Sequence, residues 1–66
     1  SLTREEYAML RITLARGTTR IHFKTIFTGI EVCVDESREL RDRTVVSRKV
    51  AGDMIVDLLS REFTIL

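Results

Sequence analysis

The feature that most constrains this chain is that its 66 residues include a single cysteine, Cys33, and a single histidine, His22. A core built from so few residues rarely supplies more than about 3–5 kcal/mol, and natural chains of this length add a disulfide, a metal or a partner. One cysteine cannot form an internal disulfide. Together with one histidine it supplies fewer than the four ligands that a structural zinc site needs. We therefore expect no metal and no cofactor, and we expect self-association or another protein to supply the missing support.

The composition is that of a globular protein, with 44% hydrophobic and 32% charged residues. Disordered chains combine lower hydrophobicity with higher net charge. No apolar run approaches the roughly 18 residues of a membrane span, and the N-terminus lacks the charged-then-apolar pattern of a signal peptide. We expect one domain over residues 1–66, either a whole protein or part of a longer chain, in a reducing cytoplasm and with no membrane partner.

The start of the chain predicts a helix. Thr3 and Glu6 have the spacing of a capping box, and Leu2 can pack on Tyr7 as a hydrophobic staple. The periodicity continues to about Arg16, where the following glycine would end the helix. The expected core side of this helix carries Tyr7, Leu10 and Leu14.

The segment from Thr18 to Val34 is rich in β-branched residues and predicts a β-hairpin. Apolar residues occupy odd positions before Thr28-Gly29 and even positions after it, so the loop must hold an even number of residues. A tight turn at Thr28-Gly29 would pair Phe27 with Ile30 and Phe23 with Val34, and a four-residue loop is the alternative. A helical interpretation of the segment also stays open, with Gly29 against it. The expected inward positions are Ile21, Phe23, Phe27, Ile30, Val32 and Val34.

Beyond the hairpin, Asp35 to Arg43 reads as a charged connection with a helical turn around Leu40. Thr44 offers a cap for a second helix of about 18 residues, and the terminal Phe63–Leu66 can add a short third strand. We expect the core face of this helix to carry Val50, Ala51, Met54, Ile55 and Leu58, and ion pairs to join Lys49 to Asp53 and Asp57 to Arg61. The predicted fold is α+β, in the order helix, β-hairpin, helix, with two helices packed on one face of a small antiparallel sheet.

The sequence holds little that indicates catalysis. The three glycines are isolated, so no phosphate-binding loop is present. In the predicted hairpin His22 lies opposite Asp35 and Cys33 lies opposite Lys24, a neighbour that could lower the pKa of the thiol. A lone cysteine in a strand is more often a small packing residue, and a chain of this size has little room for a pocket that excludes water. We therefore expect no enzyme.

Nucleic acid binding is the alternative function that the charge pattern offers. No acidic residue lies between Tyr7 and Ile30, while that stretch carries four basic side chains in a chain of formal net charge +1. Such a stretch could contact phosphates, although cross-strand ion pairs with Glu31 and Asp35 would explain the same residues. The residues of this hypothesis are Arg4, Arg11, Arg16, Arg20 and Lys24.

Protein association is the function that we favour from the sequence. A second apolar stripe runs along the last predicted helix beside its core face, at spacings of seven, four and three residues. A glycine inside a helix costs about 1 kcal/mol relative to alanine, which suggests that another backbone approaches closely there. The first helix could cover this stripe within one chain. Otherwise the stripe is the interface of a homo-oligomer, formed by Val45, Gly52, Val56 and Leu59.

Overall fold

The computed structural model of the chain describes residues 11–36 and 42–66, which form five antiparallel strands in one sheet and one helix. The strands lie side by side in the order β4-β3-β2-β1-β5, so consecutive strands from β1 to β4 are neighbours and the short last strand pairs with the first. The elements are β1 Arg11–Arg16, β2 Thr19–Ile26, β3 Gly29–Glu36, β4 Asp42–Val46, α1 Arg48–Ser60 and β5 Thr64–Ile65.

The predicted arrangement of two helices around a hairpin is wrong, because Arg11–Arg16 is a strand. Ile12 and Leu14 alternate with polar residues and pack in the core, as a half-buried strand requires. Gly17 has a φ of 59° and does not end a helix. It occupies the first position of the two-residue turn between β1 and β2, where type II′ turns favour glycine. The capping residues Thr3 and Glu6 lie outside the described residues.

The predicted hairpin is present, as strands β2 and β3, with a register two residues away from the prediction. Phe23 pairs with Val32, and the turn residues are Phe27 and Thr28. The inward alternation is confirmed, because a shift of two residues keeps each side chain on its face. Phe27 is the exception, since its ring lies in the turn and is fully exposed.

The predicted charged connection over Asp35–Arg43 is wrong at its ends, since its first two residues belong to β3 and its last two to β4, and residues 37–41 lie outside the described residues. The predicted start of the last helix is also wrong, because Thr44 lies in β4 and caps nothing. The helix begins later and is shorter, with 13 residues. Ser47 caps it, because its Oγ accepts a hydrogen bond of 3.2 Å from the backbone N–H of Val50. The predicted turn around Leu40 lies outside the described residues.

The end of the helix leads directly into the last strand. Phe63 N–H donates to Leu58 O and Glu62 N–H donates to Leu59 O, both at 3.1 Å, which is the Schellman pattern. Glu62 takes the left-handed conformation, with φ 69°. The predicted short C-terminal strand is confirmed as β5, which pairs with β1 at the opposite end of the sheet from β4. The ion pairs predicted along the helix are present, each at 3.1 Å, Lys49 with Asp53 and Asp57 with Arg61.

The core lies between α1 and one side of the sheet, which we call the apolar face. Because side chains alternate along each strand, only every second residue contributes to this core. Leu14 is 0% exposed and lies at its centre. Val50 was predicted on the core side of the helix and is instead 45% exposed. The core side chains are Leu14, Ile21, Phe23, Val32, Ala51 and Leu58.

Candidate functional site

The helix places three of the predicted interface residues on one side. Gly52, Val56 and Leu59 follow each other at spacings of four and three residues, so they form one stripe, which we call the helix flank. Val56 is 68% exposed and Leu59 is 45% exposed. Two aliphatic side chains therefore face solvent in a line beside the core side of the helix.

Gly52 marks the point on this flank where another backbone could come closest. A Cβ built on Gly52 would meet no atom within 4 Å among the described residues, so their packing does not explain the missing side chain. Beside it, α1 and the sheet enclose an apolar groove with a volume of about 200 Å³. Most of its lining is hydrophobic, and the side chains involved include Ile12, Phe23, Ile30, Ala51 and Ile55.

Val45 does not belong to the helix flank. It was predicted there because the helix was expected to start at Thr44, but it lies in β4 and pairs with Glu31. The next residue, Val46, packs against the core, so Val45 points to the other side of the sheet. Exposed apolar residues are therefore found on both sides of the molecule.

Many charged residues lie on the side of the sheet that points away from α1, and we call this side the charged face. Arg11 and Lys24 lie directly opposite each other on β1 and β2, and Arg20 lies on the same face four residues before Lys24. Arg43 on β4 joins them. By strand alternation the charged face consists of Arg11, Thr13, Ala15, Arg20, His22, Lys24, Ile26, Gly29, Glu31, Cys33, Asp35, Arg43 and Val45.

The other two cations of the nucleic acid hypothesis do not join this face. Arg16 alternates with Ala15 and lies on the helix side at the end of β1, and Arg4 lies outside the described residues. On the charged face, Glu31 lies opposite Lys24 and Asp35 lies opposite Arg20.

Among residues 11–36 and 42–66 no ion pair joins Lys24 to Glu31 or Arg20 to Asp35, although Asp35 does interact with another group. Within the same residues neither Arg11 nor Arg43 forms an ion pair. The cations of this face are therefore exposed side chains whose charge is available to a ligand.

His22 and Cys33 are cross-strand neighbours, which corrects the two predicted pairs. His22 Nδ1 lies 2.9 Å from Thr13 Oγ1, a hydrogen bond that orients the imidazole along the sheet. Cys33 is a free thiol with only 9% of its surface exposed, so access to its sulfur is limited. In the described part of the chain, no group of three or more His, Cys, Asp or Glu side chains is placed to hold a metal ion.

The sequence analysis missed two exposed residues. Arg43 was assigned to a connection because β4 was not predicted, and its alternation with Asp42 and Thr44 gives no apolar signal. Phe27 was assigned to the core, because its odd number fits the inward series of β2. Only the position of the turn shows that its ring faces solvent.

Comparison with protein-family models, with curated proteins and with solved structures finds no match to this chain. No helix among the described residues is long and apolar enough to cross a membrane.

Proposed function

We propose that this chain is a non-enzymatic assembly module that associates with a second copy of itself through the helix flank. The observation that carries the proposal is the exposure of Val56 and Leu59 on the side of α1 that also holds Gly52. Covering two aliphatic side chains removes apolar surface from water, at about 25 cal/mol for each Å². A two-fold arrangement brings the same stripe of both copies together, because such an interface is self-complementary.

The groove beside Gly52 extends this surface. A stable interface buries about 800 Å² on each partner, which is more than the three residues of the helix flank can supply. Gly52 lines the groove and Val56 follows one helical turn later, so the two features are continuous. The missing side chain of Gly52 would let the helix of the second copy approach to backbone distance.

Val56→Arg tests the proposal, with Val50→Arg as a matched control on the opposite side of the same helix. Both positions are exposed valines, so neither substitution removes a buried side chain. We expect the wild-type chain and Val50→Arg to have the mass of a dimer by light scattering at low and at high salt. Val56→Arg should have the mass of a monomer with an unchanged circular dichroism spectrum, because it places a charge inside an apolar interface.

Three results would contradict the proposal. The wild-type chain could be a monomer at all concentrations, Val50→Arg could dissociate the dimer equally, or Val56→Arg could unfold the chain. The last result would place Val56 in a folded core.

We also propose a reducing cytoplasm as the compartment, because a single thiol has no partner for an internal disulfide.

A further inference from the structure

The charged face lies on the side of the sheet opposite α1, so a ligand there would not compete with the helix flank. Among the described residues it carries four cations and two carboxylates. All four basic side chains are exposed: Arg11, Arg20, Lys24 and Arg43. Basic residues on one face without ion pairs are an electrostatic footprint for a polyanion.

The positive and negative charges of this face lie on different strands. Arg11 and Lys24 are separated by one strand spacing, about 5 Å, and Arg20 lies four residues from Lys24, about 13 Å along β2. The two carboxylates, Glu31 and Asp35, both lie on β3. A chain of phosphates would therefore follow β1 and β2, and it could reach Arg43 on β4 only by crossing β3 at Cys33.

Phe27 supplies the second, independent observation. Its ring is fully exposed in the β2–β3 turn, three residues after Lys24. Single exposed apolar side chains are normal on protein surfaces, so what matters here is that the ring is uncovered and accessible for stacking. Proteins that bind single strands combine a basic surface for the backbone with aromatic rings on which bases stack. Unpaired bases are accessible for stacking only in single strands.

We propose that the charged face binds a single-stranded nucleic acid, with Arg11, Lys24 and Arg20 along the phosphates, Arg43 at the far edge and Phe27 stacked on a base. This inference does not depend on the association proposed above. Its residues differ from those of the nucleic acid hypothesis drawn from the sequence, because Arg16 is excluded and Arg43 is added.

Fluorescence anisotropy of a short labelled oligothymidylate, titrated with the full chain, tests the inference. We expect saturable binding at low salt, and the logarithm of the association constant should fall against the logarithm of salt with a slope of about −2 to −3 for three or four phosphate contacts. Lys24→Glu should weaken binding about tenfold or more, and it should lower the slope by about one contact.

Lys49→Glu is the control, because it changes the net charge by the same amount on α1. Its side chain is exposed on the helix, away from the charged face. We expect it to weaken binding less than about threefold, the part that arises from net charge alone. If Lys24→Glu does not fold beside Glu31, Lys24→Gln takes its place, with an expected loss of about three- to fivefold.

Phe27→Ala separates a nucleic acid from other polyanions. It should lower affinity about tenfold without a change of salt slope, because stacking involves no counterion. Polyglutamate of matched length should not compete. The inference is overturned by the absence of binding at low salt, by equal losses from Lys24→Glu and Lys49→Glu, or by an effective polyglutamate competitor together with an inert Phe27→Ala.

Discussion

The two faces of the sheet are built by the same strands and differ in almost every property. On the apolar face, Leu14, Phe23 and Val32 are buried under α1. On the charged face, exposed basic residues such as Arg20 and Lys24 alternate with core residues along the strands, although Cys33 next to Val32 is buried. Burial of apolar surface stabilises the fold, whereas exposed charges contribute little to stability. Neighbouring positions in one strand therefore differ in function, one supporting the fold and the next available for binding.

This difference shows how so short a chain could accommodate both of the surfaces proposed above. The core uses alternate residues of the strands and one side of the helix, which leaves most of the other strand residues and the helix flank outside it. The effects of substitutions should differ between the two faces in the same way. Changes on the apolar face should reduce the free energy of unfolding, and changes on the charged face should alter ligand binding while the fold persists.

Leu14→Ala should give the largest effect. Leu14 is 0% exposed, and replacing a buried leucine by alanine costs about 2–5 kcal/mol through lost burial and the cavity that remains. Since a chain of this size has about 3–5 kcal/mol in total, we expect much of the population to be unfolded in water. Urea unfolding followed by circular dichroism measures this.

Leu66→Ala is the matched control, because the same substitution there removes an exposed side chain at the C-terminus. We expect a loss below about 1 kcal/mol. Equal losses for Leu14→Ala and Leu66→Ala would show that the apolar face is not the source of stability, and the comparison of the two faces would fail.

Gly29→Ala should give the next largest effect, at one place where the charged face is tightly packed. A Cβ on Gly29 would lie 2.6 Å from the carbonyl oxygen of Val46, so β3 and β4 would have to move apart. We expect a loss of about 1–3 kcal/mol in urea unfolding, as for other overpacked positions.

Gly52→Ala is the control for the loss at Gly29, measured at a concentration where the chain is monomeric. Its new Cβ meets no atom, so helix propensity should raise stability by about 0.5–1 kcal/mol. If Gly29→Ala leaves the free energy of unfolding unchanged, β4 can shift away from β3 at little cost. The edge of the charged face at Arg43 would then not be rigid.

The periodicity of apolar residues in the sequence predicted part of the core. Alternation identified Ile21, Phe23 and Val32 as core residues, and helical spacing identified Ala51 and Leu58. The hairpin register could not be predicted, because turns at Phe27-Thr28 and at Thr28-Gly29 both keep the same residues inward. Tertiary pairing decided between them.

Residues 11–16 and 42–46 show more clearly where prediction from the sequence fails. Leu14 follows Ile12 at strand spacing and Leu10 at helix spacing, and the neighbouring Ala15 and Arg16 are good helix formers. Pairing with β2 and β5 overrides that preference. The edge strand β4 carries charges, as edge strands often do, so it resembled a connection. Val45 was placed on the helix for that reason, whereas Gly52, Val56 and Leu59 lie together as predicted.

Thr13→Val should give the smallest effect and measures what the charged face contributes to stability. Thr13 Oγ1 and His22 Nδ1 are 2.9 Å apart and partly buried. Valine keeps the shape and the strand preference of threonine but leaves the imidazole without this partner, which should cost about 0.5–1.5 kcal/mol. Urea unfolding measures the loss.

The comparison is Thr25→Val on the apolar face. Thr25 lines the groove, and its hydroxyl forms no side-chain hydrogen bond with a described residue. Because that substitution adds apolar surface to an apolar site, we expect unchanged or slightly higher stability. If the two variants are instead equally stable, the bond between Thr13 and His22 contributes nothing measurable. Stability would then come from the apolar face and from the close packing at Gly29.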